Sequence, residues 1–298
     1  MGKRAIDAIR GQIIEAMKNG TSPWQKDWTP TAGVSQPFNG KSGRHYTGWA
    51  NILSLFLSAE LRGYQSPRWV TFKQAQEAGV NVCKGEKGTH VEFWKSYTPK
   101  KKQGEEPEDD ERKGAKRLSC RVYSVFNEDQ LDGPLETAPE SEPVTRSIQF
   151  VLDMAKAVGA DILFGGGDTA YYQPTLDMIR SPDLHQYTSE AGAIVTLIHE
   201  LIHWTGAKAR LNRDVSCNAT EELVAEAGAW LTALELGLPY SPQNSASYLS
   251  GWAKKTKDPE AALDKAMSEA QRASRYLIDA ARASGLMDEW AEAQQEAA

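Results

Sequence analysis

The sequence predicts an α+β protein in two domains, an N-terminal domain (1–127) with a small antiparallel sheet and a C-terminal domain (146–298) joined by a linker (128–145). Three observations predict this. A chain of 298 residues with 40% apolar and 25% charged side chains suits two ordinary globular domains. The net charge of −6 is unevenly divided: residues 1–126 hold 21 Lys and Arg against 13 Asp and Glu, whereas residues 127–298 hold 13 against 27. The basic half is therefore a candidate for a polyanionic partner. Between the halves, Glu-Asp-Gln-Leu-Asp-Gly-Pro and Ala-Pro-Glu-Ser-Glu-Pro have the composition of an interdomain segment.

Residues 3–18 carry Ile6, Ile9, Ile13, Ile14 and Met17 at helical spacing, with Gly20 and Pro23 beyond the end. A loop with Trp24 and Trp28 leads to the turn Phe38-Asn39-Gly40-Lys41-Ser42-Gly43. The next helix spans Trp49–Arg62 on a stripe of Ile52, Leu53, Phe56 and Leu57, stopped by Gly63; a short one follows over 71–79. Residues 80–84, 89–97 and 118–126 read as strands. The last two are joined by a charged stretch (100–117) too polar for anything but a hairpin loop. Past the linker come a helix over 147–158, strands over 162–164 and 169–173 around Gly165-Gly166-Gly167, and helices over 189–205 and 220–236. Residues 245–254 and a long helix opened by Asp258-Pro259-Glu260 and ended near Gly285 complete the chain.

The N-terminus has no apolar stretch for a signal peptide and no run approaches a membrane span. Cys83, Cys120 and Cys217 are odd in number and follow no paired-ligand spacing. Both features imply a cytoplasmic chain with reduced thiols and no membrane partner.

The chemistry concentrates in His199-Glu200-Leu201-Ile202-His203. Ile194, Val195, Ile198, Leu201 and Ile202 give this helix an apolar face, and residues four apart share a side, so both imidazoles can meet one ion. Zinc (Zn2+) suits two neutral imidazoles and a carboxylate with a fourth position for water. Glu200 is placed to act as general base on that water. With five histidines in the chain, chance supplies roughly 0.007 such patterns, so a surface helix with incidental histidines is the weaker reading. The third ligand is expected from Thr220-Glu-Glu-Leu-Val-Ala-Glu226. Glu222 and Glu226 share a helical face; Glu222 is favoured as ligand and Glu226 as the acceptor for a ligand histidine's outer N–H, with the roles exchangeable. Glu221 also remains open as a ligand, although a solvated acid in a first helical turn would explain it. His185 is a weaker candidate that a surface position would equally explain, and the segment from Tyr171 to Ile179 reads either as an edge strand beside a substrate cleft or, for its tyrosines, as core packing.

The basic half interleaves rings and cations. Trp24, Tyr46, Trp69 and Trp94, with Lys41, Arg44, Arg68, Lys73, Lys84 and Lys87, are the candidate contacts to single-stranded DNA: cations follow phosphates and flat rings stack on bases. Phe93, Tyr123 and Lys95 belong to the wider set, while Trp49 and Phe56 are expected in the core. No motif of a duplex reader is visible.

Longer runs carry a resemblance. Phe38-Asn-Gly-Lys-Ser-Gly-Arg-His-Tyr-Thr-Gly-Trp-Ala-Asn51, Gly63-Tyr-Gln-Ser-Pro-Arg-Trp-Val-Thr-Phe-Lys-Gln-Ala75 and Lys84-Gly-Glu-Lys-Gly88 resemble the N-terminal domain of ArdC-type antirestriction proteins, a domain also found in TraC-type primases. Thr196-Leu-Ile-His-Glu-Leu-Ile-His-Trp-Thr-Gly206, Arg210-Leu-Asn-Arg213 and Glu221-Glu-Leu-Val-Ala-Glu226 are similar to the zincin-like metallopeptidase domain of the same family. The resemblance implies a plasmid-encoded protein that binds single-stranded DNA and protects incoming conjugative DNA from restriction. Its protein substrate is unnamed, with a host restriction component as one candidate. A rival reading makes the chain a DNA-coating module whose metal only braces the fold. A nuclease fits poorly, because phosphodiester hydrolysis usually calls for carboxylate-rich or two-metal sites.

Overall fold

The computed structural model describes residues 7–19, 36–97, 117–136, 147–216, 218–238 and 256–288. Their contacts separate into two compact units, each holding one sheet.

The first unit is built on a four-stranded sheet of β1 (Phe38–Asn39), β2 (Arg68–Thr71), β3 (Thr89–Tyr97) and β4 (Arg117–Asn127), in the order β1-β2-β4-β3. The sheet is mixed, not purely antiparallel as the sequence suggested, because β1 pairs parallel to β2. Both strands escape a periodicity search. β1 has two residues, and in β2 the adjacent Trp69 and Val70 are both buried, so there is no alternation to detect. Trp69 packs with Leu55, Val91 and Val125, while Val70 packs with Ala75 and Leu135. Helix α2 (Trp49–Arg62) supplies Leu55 and ends at Gly63, whose φ of 72° is the left-handed turn that glycine adopts freely. Helix α3 (Phe72–Glu77) opens with a reciprocal cap between Thr71 and Gln74.

Two expectations change here. Residues 80–84 make a single bridge, Val82 to Leu131, and no strand. The first half of the expected linker packs as part of this unit. Asn127 caps a 3-10 turn over Glu128–Gln130, Gln130 is buried, and Leu135 joins the core beside Val70. Pro and acid content signalled a linker, but one apolar anchor and a satisfied cap outweighed it. The charged stretch 100–116 and the segment 245–254 lie outside the described residues.

The second unit holds β5 (Asp161–Phe164), β6 (Tyr171–Gln173) and β7 (Met178–Ser181), in the order β5-β7-β6, so β6 is an edge strand. Helices α4 (Ile148–Val158), α5 (Glu190–Thr205), α6 (Asn218–Leu236) and α7 (Pro259–Ala283) pack with it. Both α6 and α7 bury small residues, Ala225, Ala227, Gly228 and Ala229 on one and Ala266, Ala270 and Ala273 on the other. Helix α1 (Asp7–Lys18), expected with the N-terminal domain, packs from Ile9 onward with this unit. Ile13, Ile14 and Met17 are buried, and Arg10 reaches Asp264 of α7 at 2.9 Å. Among the described residues no helix is long and apolar enough to cross a membrane.

Candidate metal centre

Helix α5 begins at Ser189, whose hydroxyl accepts the N–H of Gly192, and its apolar residues bury it deeply. The i, i+4 spacing places the His199 and His203 rings 4.7 Å apart between centroids, with their Nε2 atoms 3.1 Å apart. Helix α6 lies close against α5. A Cβ on Gly228 would stand only 3.0 Å from the Ile202 side chain, so glycine is what permits this approach. The approach brings Glu222 over the histidines: Oε2 is 3.4 Å from His199 Nε2 and Oε1 is 3.6 Å from His203 Nε2.

These atoms fit a divalent ion. One ligand atom each from His199, His203 and Glu222 falls within 4.8 Å of the others. Two nitrogens bound tetrahedrally at about 2.0–2.1 Å would be about 3.3 Å apart, close to what α5 imposes. Two imidazole nitrogens that face each other this closely cannot both carry protons; a bound cation would replace the single proton held between them.

The outer nitrogens meet carboxylates. Glu221 Oε1 lies 3.2 Å from His203 Nδ1, and Glu226 Oε1 lies 3.9 Å from His199 Nδ1. Glu221 is thus a buried partner of His203 and not the solvated first-turn acid that its position suggested. It is held in turn by Arg213, whose side chain is only 2% exposed; its Nη2 donates to Glu221 Oε1 at 2.5 Å and to Ile202 O at 2.7 Å, and its Nη1 donates to Thr205 Oγ1 at 2.6 Å. Sequence reasoning saw Arg213 only inside a family pattern. The signal that could have found it is Gly206, where a Cβ would be 2.8 Å from Arg213 Nη2 and 3.0 Å from His203 O.

Electrostatics follow the contacts. Burial by itself would lower the His203 pKa, yet hydrogen bonds to Glu221 and Glu222 push it up to about 9. Burial raises Glu221, but His203 and Arg213 outweigh it and hold the carboxyl below its ordinary value. His199 and His203 hold Glu222 well below the usual carboxylate range.

Glu200 is buried on the same helix, and its Oε2 accepts the backbone N–H of Tyr172 at 2.8 Å. Since β6 pairs with β7 on one side only, this N–H faces the open edge of the sheet. The Tyr172 hydroxyl donates to Asp177 at 2.7 Å, and Arg210 donates to Asp177 while its guanidinium lies 3.7 Å over the Trp204 ring. The hydrogen bond from Arg210 keeps the Asp177 carboxyl below its ordinary value. Arg210 therefore ties the β6–β7 turn to the end of α5. His185 is exposed in a 3-10 turn and is not in the metal cluster.

The candidate DNA contacts differ in exposure and in partners. Trp69, 1% exposed, is a core residue and cannot stack on a base without opening the unit. Tyr46 is half-buried against the same core and its hydroxyl meets Asn39. Arg68 is paired with Glu128 at 2.8 Å, and Lys41 and Lys73 both reach Glu77. Trp94 is 53% exposed but its indole N–H donates to Glu92 at 3.1 Å. Arg44, Lys84 and Lys87 are exposed, and Trp24 lies outside the described residues.

A helix that converges two histidines on a carboxylate from the next helix, beside an open sheet edge, defines a zincin-like metallopeptidase domain; residues 151–269 match the family model described as a zincin-like metallopeptidase. Residues 3–126 match the N-terminal domain of anti-restriction factor ArdC. The chain belongs to the ArdC antirestriction family. The crystal structure of the metal-free antirestriction ArdC protein of plasmid R388 superposes with a TM-score of 0.72 at 34% identity, covering 93% of this chain and 97% of that one. Its Mn(II)-bound structure gives 0.70 at 35%, with the same coverage. Protein y4eC of Sinorhizobium fredii is 31% identical over 91% of this chain and 90% of its own length. Two DNA primases TraC of Escherichia coli are each 33% identical over 91% of this chain, which spans only 20% and 27% of their lengths.

Proposed function

We propose that this chain binds single-stranded DNA through its first unit, hydrolyses peptide bonds at a zinc site in its second, and by these means protects incoming conjugative DNA from restriction in the recipient's cytoplasm. The observation that carries the enzymatic half is the convergence of His199, His203 and Glu222 beside Glu200 and the open edge of β6. Zinc held by those three residues would supply Lewis acidity toward a scissile carbonyl and toward water. Glu200 takes a proton from the attacking water and hands it to the leaving amine, so the proton lost by the nucleophile is the one the departing nitrogen gains. The edge of β6 offers backbone groups to an extended peptide, which would lie along it as an added strand. Peptide hydrolysis is favoured over nuclease activity because the site has a single carboxylate ligand and two imidazoles. A host restriction component is the candidate substrate. The Mn(II)-bound structure of the R388 ArdC protein supports a divalent cation as the ion held.

A second reading has a specific observation behind it. The Arg213–Glu221–His203 chain knits the metal ligands into the core, which is what a bracing metal needs. The two readings separate in conjugation into a restricting recipient, comparing wild type with Glu200→Ala at matched protein levels. Loss of protection with DNA binding and fold retained supports peptidase action. Undiminished protection assigns the activity to DNA binding, with the metal as a brace.

A further inference from the structure

We propose that the outer half of the β3–β4 hairpin is the stacking platform for single-stranded DNA, built from Phe93, Tyr123, Lys95 and Arg121; this rests on the single-strand reading above. In the antiparallel register Val91 opposes Tyr123, Phe93 opposes Arg121, and Lys95 opposes Ser119. Directly opposed residues share a face, and side chains alternate along each strand, so all six lie on one side of the hairpin. At the inner end that side is core, where Val91 and Val125 pack with Leu55 and Trp69. Further out it opens. Phe93 is 57% and Tyr123 41% exposed, and their rings meet edge to face at 6.5 Å and 77°.

Phe93, Lys95, Ser119, Arg121 and Tyr123 line an open depression of about 470 Å³. Among the described residues no carboxylate lines it. Among the described residues neither Lys95 nor Arg121 has an ion-pair partner, in contrast to Arg68, Lys41 and Lys73, each already matched to a glutamate. Two cations on one face repel each other until an anion joins them. Exposed rings flanked by such cations fit a ligand with a flat apolar part and a repeating negative charge, which is a nucleic-acid strand with accessible bases. A duplex hides its base faces in the stack, so its phosphates alone could engage here.

The test is fluorescence anisotropy of the full chain with a labelled oligo-dT of about 20 nucleotides and the matching duplex. Phe93→Leu combined with Tyr123→Leu keeps the apolar volume and removes the rings. It should weaken single-strand binding roughly 5- to 100-fold and leave the urea midpoint and metal content at wild-type values. Lys95→Gln with Arg121→Gln should flatten the slope of log affinity against log salt by about 1.4. If wild type binds and both double variants bind equally well, the platform lies elsewhere and the proposal fails. Equal loss on strand and duplex in the ring variant would reduce this face to a phosphate patch and also overturn it. If wild type binds no oligonucleotide, the single-strand reading itself falls and takes the platform with it.

Discussion

The backbone N–H of Tyr172 donates a 2.8 Å hydrogen bond to Oε2 of Glu200, joining the open edge of β6 to the residue proposed as general base. The same N–H is one that an added peptide strand would use. Tyr172→Pro removes it at an edge position where the ladder to β7 is not involved, and proline is tolerated on edges. Relative to Tyr172→Ala, which loses the same ring and hydroxyl, the proline variant should lose most peptidase activity on a casein-type substrate and keep its metal. Equal activity in the two variants would mean the N–H has no part in turnover.

Glu222 and Glu226 should separate by their metal affinities. Glu222→Ala takes away one of three ligand atoms and should abolish stoichiometric binding in equilibrium dialysis. Glu226→Gln removes only the negative partner of His199 Nδ1, and the expected loss is about 10- to 100-fold. A reversal of the two would move the ligand role one turn along α6.

Metal binding should rise with pH over a defined window. In the metal-free protein His203 titrates near 9 against an ordinary 6.5, because Glu221 and Glu222 favour its charged form over the opposing effect of burial. A raised folded pKa means that this contribution to stability is complete below 6.5 and fades as pH climbs through about 9. A metal needs the neutral imidazole, so between these limits each ion bound expels a proton. Apparent affinity should increase about tenfold per pH unit and level off above 9. Competition with a chelator across this range, repeated on Glu221→Gln, measures it; the plateau should move to lower pH in the variant.

Arg213→Met should cost about 3–5 kcal/mol, because Glu221 is then a buried carboxylate without its cation. Replacing both, as Arg213→Met with Glu221→Leu, should recover part of the loss. Urea denaturation gives the values, and no difference between single and double variants would show the pair is uncoupled.

Gly206→Ala should destabilise by about 1–3 kcal/mol, since the new methyl collides with Arg213 and with a backbone oxygen that cannot withdraw. The thermal midpoint reports it, and an unchanged midpoint would mean the chain yields there at no cost.

Much of this architecture was legible from local pattern. The apolar periodicity of α5 set the helix, and the four-residue spacing of His199 and His203 set their common side. The β3–β4 hairpin and the α+β class were readable for the same reason, because each rests on periodicities within one segment. Other features required the folded chain. Trp69 looked like a stacking ring and is core, because the sheet is covered on both faces at β2. Glu221 and Glu222 are neighbours in sequence, about 100° apart around α6, and no local rule says which one turns to the Nε2 atoms of the two histidines. That choice is made by how α6 rolls against α5. The close contact of Gly228 with Ile202 fixes the roll, sending Glu222 to the Nε2 atoms and Glu221 to Nδ1 of His203 and to Arg213. The residue types of the site were determined by the sequence alone; which carboxylate faces which imidazole nitrogen was decided by long-range packing, because helix registry depends on contacts that no single segment contains.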